Sequence, residues 1–351
     1  MGEEIVFTRE RHIGLVTLQR VQALNALTLQ MIIALQEQLH VWKNDKDIHA
    51  VVVQAAPGKA FCAGGDVRWL YDMGRSSNPQ QMQFFWHEYR LNHFIHHFGK
   101  PYIALMDGVT MGGGVGISLH GSHPIASERF IFAMPETGIG FFPDIGASYL
   151  LSHCPGQSGI YLGLTGARLG AADAYHLGLV KQVVLSHEHQ NLLVSLIEED
   201  LSIDAHARVD ACLQRYAMPI QPAPIMDLQS AIDTCFNHND VESIMAELTE
   251  TDDIWQNEIA KTLGQKAPIS LKVTLEQIRK AKLMSMADCI KMDYCLVGHF
   301  MHGHDFYEGV RALLVDKDKS PHWQPNLLLE VSNSKVADYF KCGQPDLPLL
   351  L

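Results

Sequence analysis

Two glycine-rich segments, each followed further along the chain by an acidic residue, are the parts of this sequence whose residue types and spacing could do chemistry. The segments are residues 61–66 (Phe-Cys-Ala-Gly-Gly-Asp) and residues 108–114 (Gly-Val-Thr-Met-Gly-Gly-Gly). Glycine has no Cβ, so a ligand can approach its backbone N–H group, and two such loops can direct two donors at one oxygen. Glu136 and Asp144 each follow a proline, which restricts the local backbone. The pattern predicts an oxyanion hole with acid–base groups beside it.

Each motif also has a purely structural explanation. Glycine-rich turns before helices of small residues are common in α/β proteins, and Pro-Glu or Pro-Asp pairs often begin helices. A tight turn without a ligand is therefore the alternative for each glycine segment. A helix N-cap or a surface position is the alternative for each carboxylate. The order of all four motifs in one chain is the more specific signal.

The surrounding sequence places both glycine segments after strands. Residues 4–18 alternate as a β-hairpin does, and apolar spacing predicts a helix from the N-cap Thr28 to Trp42. Residues 50–54 and 102–106 are buried-type strands that lead into the two glycine segments, and a helical stretch covers residues 79–98. Strand, glycine loop and helix thus occur twice, which predicts an α/β architecture. From about residue 186 to 315 the pattern is consecutive helices, with breaks at 219–224 and 267–268.

This ordered set resembles the crotonase (enoyl-CoA hydratase/isomerase) superfamily. The resemblance also rests on Leu-Asn-Ala-Leu at 24–27, Leu-Thr-Gly-Ala-Arg at 164–168 and Leu-Gly-Leu-Val at 177–180. Within the superfamily, four further segments are similar to the 3-hydroxyisobutyryl-CoA hydrolases: residues 88–92, 133–137, 142–146 and 304–312. The closer resemblance spans nearly the whole chain.

The resemblance implies an α/β, crotonase-like spiral of ββα units with a helical C-terminal region. We expect residues 1–200 to form the spiral core with the oxyanion hole, and residues 201–351 to form a mainly helical region with an extension. The implied activity is hydrolysis of an acyl-CoA thioester, 3-hydroxyisobutyryl-CoA, in valine breakdown. Coenzyme A would be part of the substrate, and no separate cofactor is expected.

By family position, the N–H groups of Gly65 and Gly113 form the oxyanion hole. Glu136 would activate water or attack the thioester, and Asp144 would transfer a proton or hold the 3-hydroxyl group of the substrate. Glu88 matches a substrate contact of the hydrolases, although a glutamate in a helix is often only a solvated charge.

One position departs from the pattern of the hydratases. Those enzymes use two glutamates, and the first of the two positions is Gly116 here. This departure disfavours hydration, whereas a lone carboxylate at Glu136 would suit a double-bond isomerase. An enoyl-CoA isomerase or hydratase is therefore the alternative function.

Basic residues that could hold the phosphates of coenzyme A are sparse. Lys59 and Arg68 flank the first glycine segment and are the expected substrate-binding pair, while the usual Pro-Lys before Leu24 is Val-Gln here. The formal net charge of −12 disfavours nonspecific binding to nucleic acid or anionic membranes. An RNA-binding role, known for some proteins of this fold, is accordingly a remote alternative. A homo-oligomer is compatible with the sequence.

The histidines and cysteines do not form recognisable metal motifs. His93 and His97 have i, i+4 spacing, and three more histidines cluster at 299–304, but no His-Glu-x-x-His pattern is present. We therefore expect no metal site. Seven scattered cysteines without a Cys-x-x-Cys pair fit a reducing compartment. Because the first residues are acidic and no apolar leader is evident, we expect a cytoplasmic protein or a mature mitochondrial matrix form.

Overall fold

Nine strands form two sheets in the computed structural model, which describes residues 3–343 and 345–350. Met1 and Gly2, the first of the N-terminal residues on which the predicted location rests, lie outside the described residues, as do Gln344 and Leu351. The strands are β1 (Ile5–Glu10), β2 (Ile13–Leu18), β3 (Ala50–Ala55), β4 (Ala60–Cys62), β5 (Tyr102–Met106), β6 (Val109–Met111), β7 (His123–Ala126), β8 (Ile131–Ala133) and β9 (Gln182–Val183).

The larger sheet has the order β1-β2-β3-β5-β7-β9. β1 and β2 form the expected antiparallel hairpin, and the remaining neighbours are parallel. The central strand β3 begins with four apolar residues, Ala50–Val53, of which Val51, Val52 and Val53 are fully buried. Such runs are typical of parallel strands that are covered on both faces.

The smaller sheet has the order β4-β6-β8 and is entirely parallel. Three successive strand pairs, β3 with β4, β5 with β6 and β7 with β8, each contribute their first strand to the larger sheet and their second to the smaller one. This repetition produces the spiral of ββα units. It also places the segments that follow β4, β6 and β8 at one edge of the smaller sheet.

Helices surround the two sheets. They are α1 (Leu29–Asn44), α2 (Val67–Arg75), α3 (Gln80–His96), α4 (Gly113–Gly116), α5 (Ala147–Ser152), α6 (Ser158–Thr165), α7 (Ala171–His176), α8 (His189–Glu198), α9 (Ala205–Tyr216), α10 (Ile225–Cys235), α11 (Val241–Thr249), α12 (Ile254–Leu263), α13 (Pro268–Ala281), α14 (Met286–His302), α15 (Asp305–Val310) and α16 (Asn333–Tyr339). The Thr28 side chain accepts a hydrogen bond of 3.2 Å from Met31 N–H, which confirms the predicted N-cap of α1.

No further strand follows β9 among the described residues, although Ala217 forms an isolated β-bridge with Val184. This helical region is not separate from the sheets, because the main apolar core includes side chains from both, such as Leu18 of β2 and Leu296 of α14. Phe300 of α14, for example, packs its ring 5.0 Å from that of Phe142. None of the described helices is long and apolar enough to cross a membrane.

Candidate active site

Three sequence motifs meet at the carboxyl ends of the smaller sheet. Gly65 follows β4, Gly113 follows β6 and Glu136 follows β8. Because these strands are parallel neighbours, their ends lie along one edge. The sheet thus brings together residues that are far apart in the sequence.

The two glycine loops are in direct contact. A Cβ atom built on Gly64 would lie 3.7 Å from Gly113 N, and one built on Gly113 would lie 3.3 Å from Gly65 N. Gly64 and Gly112 have φ angles of 113° and 47°, which glycine adopts more easily than other residues. Neither Gly65 N–H nor Gly113 N–H donates a hydrogen bond to any residue that the structure describes. Two adjacent donors are therefore available to one ligand oxygen.

A cavity of about 100 Å³ lies against these two loops. Its apolar wall is formed by Val67, Leu70, Phe84, Phe85, Ile139, Phe141 and Phe306. Its polar lining includes Glu88, Glu136 and Asp144. The volume is well below the ~300–1,000 Å³ of pockets for drug-sized ligands, so the cavity can hold only a small group.

The three carboxyl groups at the cavity are almost entirely buried. Glu88, Glu136 and Asp144 are 2%, 7% and 6% exposed. Burial raises the pKa of Asp144 to about 7, and the hydrogen bond from Tyr89 opposes that rise. Burial, followed by the negative charge of Asp144, holds the pKa values of Glu88 and Glu136 well above the usual range. Such shifts are typical of groups that exchange protons near neutral pH.

Two carboxylate oxygens at the cavity have no protein partner among the described residues. Glu88 Oε1 and Glu136 Oε2 are buried without a hydrogen bond. Glu136 Oε1 approaches the second glycine loop, since a Cβ on Gly112 would lie 3.3 Å from it. Buried polar atoms normally have partners, so these oxygens are candidates to bind a substrate hydroxyl or a water molecule.

The structure thus brings together five of the predicted site residues, Gly65, Gly113, Glu88, Glu136 and Asp144, at one cavity. Lys59 and Arg68 do not line it. Arg68 is half exposed and pairs with Asp72, with 3.5 Å between Nε and Oδ2, and Lys59 is exposed.

Lys266 is a basic residue that the sequence analysis missed. Its Nζ would lie 3.2 Å from a Cβ on Gly138, inside the short 3₁₀ turn Glu136–Ile139. Burial lowers the pKa of Lys266, and the charge of Glu136 opposes that shift. Lys266 also lines a second cavity of about 450 Å³ with Lys319. A lysine just before the start of a helix gives no sequence signal that it faces Glu136.

At Gly116, where the hydratase pattern has a glutamate, a neighbouring side chain occupies the space that a glutamate would need. A Cβ on Gly116 would lie only 2.6 Å from Nδ2 of Asn92, which is fully buried in α3. A glutamate at position 116 therefore has no room unless Asn92 moves.

Nowhere in residues 3–343 and 345–350 do three or more His, Cys, Asp or Glu side chains form a group that could hold a metal ion.

Comparisons with known proteins agree with this architecture. The sequence model of the family described as "Enoyl-CoA hydratase/isomerase" matches residues 13–340. The chain is 41% identical to "3-hydroxyisobutyryl-CoA hydrolase, mitochondrial" of Danio rerio, with 97% of this chain and 90% of the relative covered. It is 37% identical to the Homo sapiens protein of the same name, with 99% and 91% covered.

Solved structures extend the agreement to the fold. A protein described as a carnitinyl-CoA dehydratase from Mycobacterium thermoresistibile has a TM-score of 0.93 at 36% identity, with 99% of both chains covered. One described as an enoyl-CoA hydratase from Rhodobacter sphaeroides has a TM-score of 0.88 at 34% identity, with 97% of this chain and 98% of that chain covered. The predicted spiral fold is confirmed, and this chain belongs to the enoyl-CoA hydratase/isomerase family.

Proposed function

We propose that this protein is an acyl-CoA thioester hydrolase that converts 3-hydroxyisobutyryl-CoA and water to 3-hydroxyisobutyrate and coenzyme A. The observation that carries the proposal is the pairing of Glu136 and Asp144 at one small cavity beside the N–H groups of Gly65 and Gly113. The names of the full-length relatives support the same substrate.

The two N–H donors would act on the thioester carbonyl. Its oxygen gains negative charge when the carbonyl carbon is attacked, and donors held in place for that charge stabilise the transition state. Loss of one such donor costs about 3–4 kcal/mol of transition-state stabilisation. We therefore place the carbonyl oxygen between Gly65 and Gly113, which directs the acyl group into the cavity.

Glu136 can act by either of two routes. As a general base, its carboxylate takes a proton from water while the water oxygen attacks the carbonyl carbon, and the coenzyme A thiolate then leaves and is protonated. As a nucleophile, the carboxylate itself attacks, which gives an anhydride and the thiolate, and water then hydrolyses the anhydride. The unpartnered Oε2 of Glu136 supports both routes.

Asp144 and Glu88 complete the proposed site. With a pKa of about 7, Asp144 can both give and take a proton near neutral pH. Its carboxyl group can instead accept a hydrogen bond from the substrate 3-hydroxyl, and the unpartnered Glu88 Oε1 offers a second acceptor for that group. We propose that Lys59 and Arg68 contact the coenzyme A phosphates from outside the acyl cavity.

Two experiments test this function. A panel of acyl-CoA esters assayed by release of free thiol, with enoyl-CoA absorbance followed in parallel, should give fastest cleavage for the 3-hydroxyisobutyryl ester. Single turnover in H₂¹⁸O then separates the two routes, because only the anhydride route can leave the label on the Glu136 carboxyl group. Absence of thiol release from every ester would refute the proposal.

A hydratase is the second candidate, because two solved structures similar in fold are described as a dehydratase and a hydratase. Asn92 argues against a hydratase, since that side chain occupies the space next to Gly116 where the second glutamate would stand.

We propose a reducing compartment for the enzyme, either the cytoplasm or the mitochondrial matrix. Cys62, Cys154 and Cys235 are among its buried free thiols.

A further inference from the structure

Asp144 is followed by a turn in an unfavourable backbone conformation. Ile145 has a φ angle of 57° and Gly146 one of 73°, so both are left-handed. This region is readily adopted by glycine but strongly disfavoured for a β-branched residue such as isoleucine. Backbone strain of this kind persists only where the surrounding structure holds it, and it is concentrated at functional sites.

Two buried side chains from the helical region bind the backbone on both sides of Asp144. Nε2 of Gln277 in α13 donates to the Pro143 carbonyl oxygen at 2.9 Å. Oδ2 of Asp293 in α14 accepts the Gly146 N–H at 2.7 Å. Gln277 and Asp293 also bind each other at 2.8 Å, and both are fully buried. The turn 143–146 is therefore held at its first and last residues by one connected pair.

A third buried side chain holds the middle of the turn. Nε2 of His120 lies 2.7 Å from the Ile145 carbonyl oxygen. Burial lowers the pKa of His120 to about 3, so the ring is neutral near pH 7 and Nε2 carries the hydrogen that the carbonyl accepts. The strained residue is thus hydrogen-bonded at its own carbonyl as well as at its neighbours.

We propose that Asp293 and Gln277 are positioning residues for the thioester hydrolysis described above: they hold the turn 143–146 so that the Asp144 carboxyl group stays beside Tyr89 at the cavity. Neither side chain lines the cavity, so they act only through Asp144. This inference rests on the proposed function.

The chemistry of Asp293 supports a functional role. A buried carboxyl group without a cationic partner is expensive, and an apolar residue of similar size would fit a core more favourably. The hydrogen bonds from Gly146 and Gln277 offset part of that cost. A carboxyl group that is costly to bury and is bonded to the turn that bears Asp144 is expected to matter for activity.

Four variants test the inference. Asp293→Ala removes the acceptor, Asp293→Asn keeps an oxygen that can accept the Gly146 N–H, and Gln277→Met removes the donor to Pro143. The matched control is Asp173→Asn, because Asp173 is also buried and accepts a backbone N–H, from Ile225 at 3.0 Å, but does not line the cavity. The measurements are kcat, KM, Tm and hydrogen–deuterium exchange of the peptide that covers residues 142–147.

Asp293→Ala should lower kcat by at least about tenfold, because misplacing a catalytic group by about 1 Å can cost a hundredfold. KM should stay within about twofold, as expected when substrate binding is intact. Asp293→Asn and Gln277→Met should give smaller losses of kcat, with faster exchange in residues 142–147. Asp173→Asn should lower Tm without lowering kcat.

Unchanged kcat in folded Asp293→Asn and Gln277→Met would overturn the inference, and these two variants decide it if Asp293→Ala does not fold. The inference would also be overturned if the Asp293 and Gln277 variants lost no more kcat than an Asp173→Asn protein of the same Tm. Rates are measured on the ester that the wild type cleaves fastest, so a different substrate preference counts against the proposed function alone. If the wild type cleaves no ester, unchanged exchange in Asp293→Ala would still refute the positioning role.

Discussion

Tyr89 Oη donates a hydrogen bond of 2.8 Å to Asp144 Oδ2. Tyr89 is the immediate neighbour of Glu88 in α3 and is fully buried. Because Oδ2 accepts from Tyr89, the other Asp144 oxygen is left to carry a proton or to face the substrate. One helix thus supplies both a carboxyl group of the cavity and the donor that orients a second one.

The first prediction follows from this hydrogen bond. A donor to a carboxylate favours its ionised form, so Tyr89→Phe should raise the pKa of Asp144 above its present value of about 7. The limb of the pH–rate profile near pH 7 should move to higher pH, whichever ionisation state of Asp144 is active. Glu88, Glu136 and Asp293 also face this region, so Asp144→Asn is the reference that should lack the limb. A limb that stays in place in Tyr89→Phe would contradict the prediction.

Glu136→Gln tests the proposed base or nucleophile. We expect thioester hydrolysis to fall by at least about a hundredfold, the lower range for a positioned acid–base group. Glu198→Gln, which changes an exposed glutamate in α8, is the control and should keep wild-type turnover. Both are measured by thiol release under saturating substrate. Near-normal turnover in Glu136→Gln would remove Glu136 from the mechanism.

Asp144→Asn should separate activity from stability. Turnover should fall while coenzyme A still binds, because the substitution preserves volume and an oxygen that can accept from Tyr89. The folded-state pKa of Asp144 lies above that of a free aspartate, so the native state holds a proton that the unfolded chain releases. Its stabilising contribution is therefore present below about pH 4 and is lost as the pH rises through about 7.

Relative to the wild type, Asp144→Asn should consequently be more stable at pH 8, and the difference should shrink toward pH 4. A difference of 1 kcal/mol corresponds to a shift of about 2–4 °C in Tm for a domain of 150–250 residues. Thermal unfolding followed by circular dichroism at both pH values measures it. Equal Tm values for the two proteins at pH 8 would show that burial of the ionised Asp144 carboxylate does not destabilise the folded protein.

The apolar wall of the cavity should limit the length of the acyl group. Phe85 lines the cavity and is almost fully buried. Phe85→Leu enlarges the space, so hydrolysis of a hexanoyl ester should gain about tenfold relative to the proposed 3-hydroxyisobutyryl ester, whose branched acyl group has four carbons, on the basis of about 0.8 kcal/mol per buried methylene. Phe98→Leu, at a buried position that does not line the cavity, should leave the preference unchanged.

Much of this fold could be predicted from local sequence. The strand Tyr102–Met106 has the bounds that its apolar run predicts, and Thr28 caps α1 as expected. The helix that begins at Gly113 is short. It ends at Gly116, and the repeated glycines in it disfavour helix propagation.

The part of the site that could not be predicted comes from distant helices. Gln277 and Asp293 are separated from Asp144 by more than a hundred residues, and their contacts depend on how α13 and α14 pack. No periodicity in the sequence indicates that Asn92 meets Gly116. Tertiary packing alone brings these pairs together, whereas the converging glycine loops follow from two strands of one parallel sheet.

The last prediction concerns Gly116, which separates hydrolase from hydratase. The wild type should cleave a 3-hydroxyacyl-CoA without appreciable hydration of crotonyl-CoA. Gly116→Glu should lower stability and hydrolysis, because its Cβ would already lie 2.6 Å from Asn92 Nδ2 and the strain would reach the Gly113 donor. The double variant Gly116→Glu with Asn92→Gly makes room for the carboxylate, so it should regain part of the lost stability and give at most a trace of hydration. Enoyl-CoA absorbance and thiol release, followed on the same samples, measure both reactions. Hydration by the wild type that exceeds its thioesterase rate would overturn the proposed function, while the fold and the contact between the two glycine loops would stand.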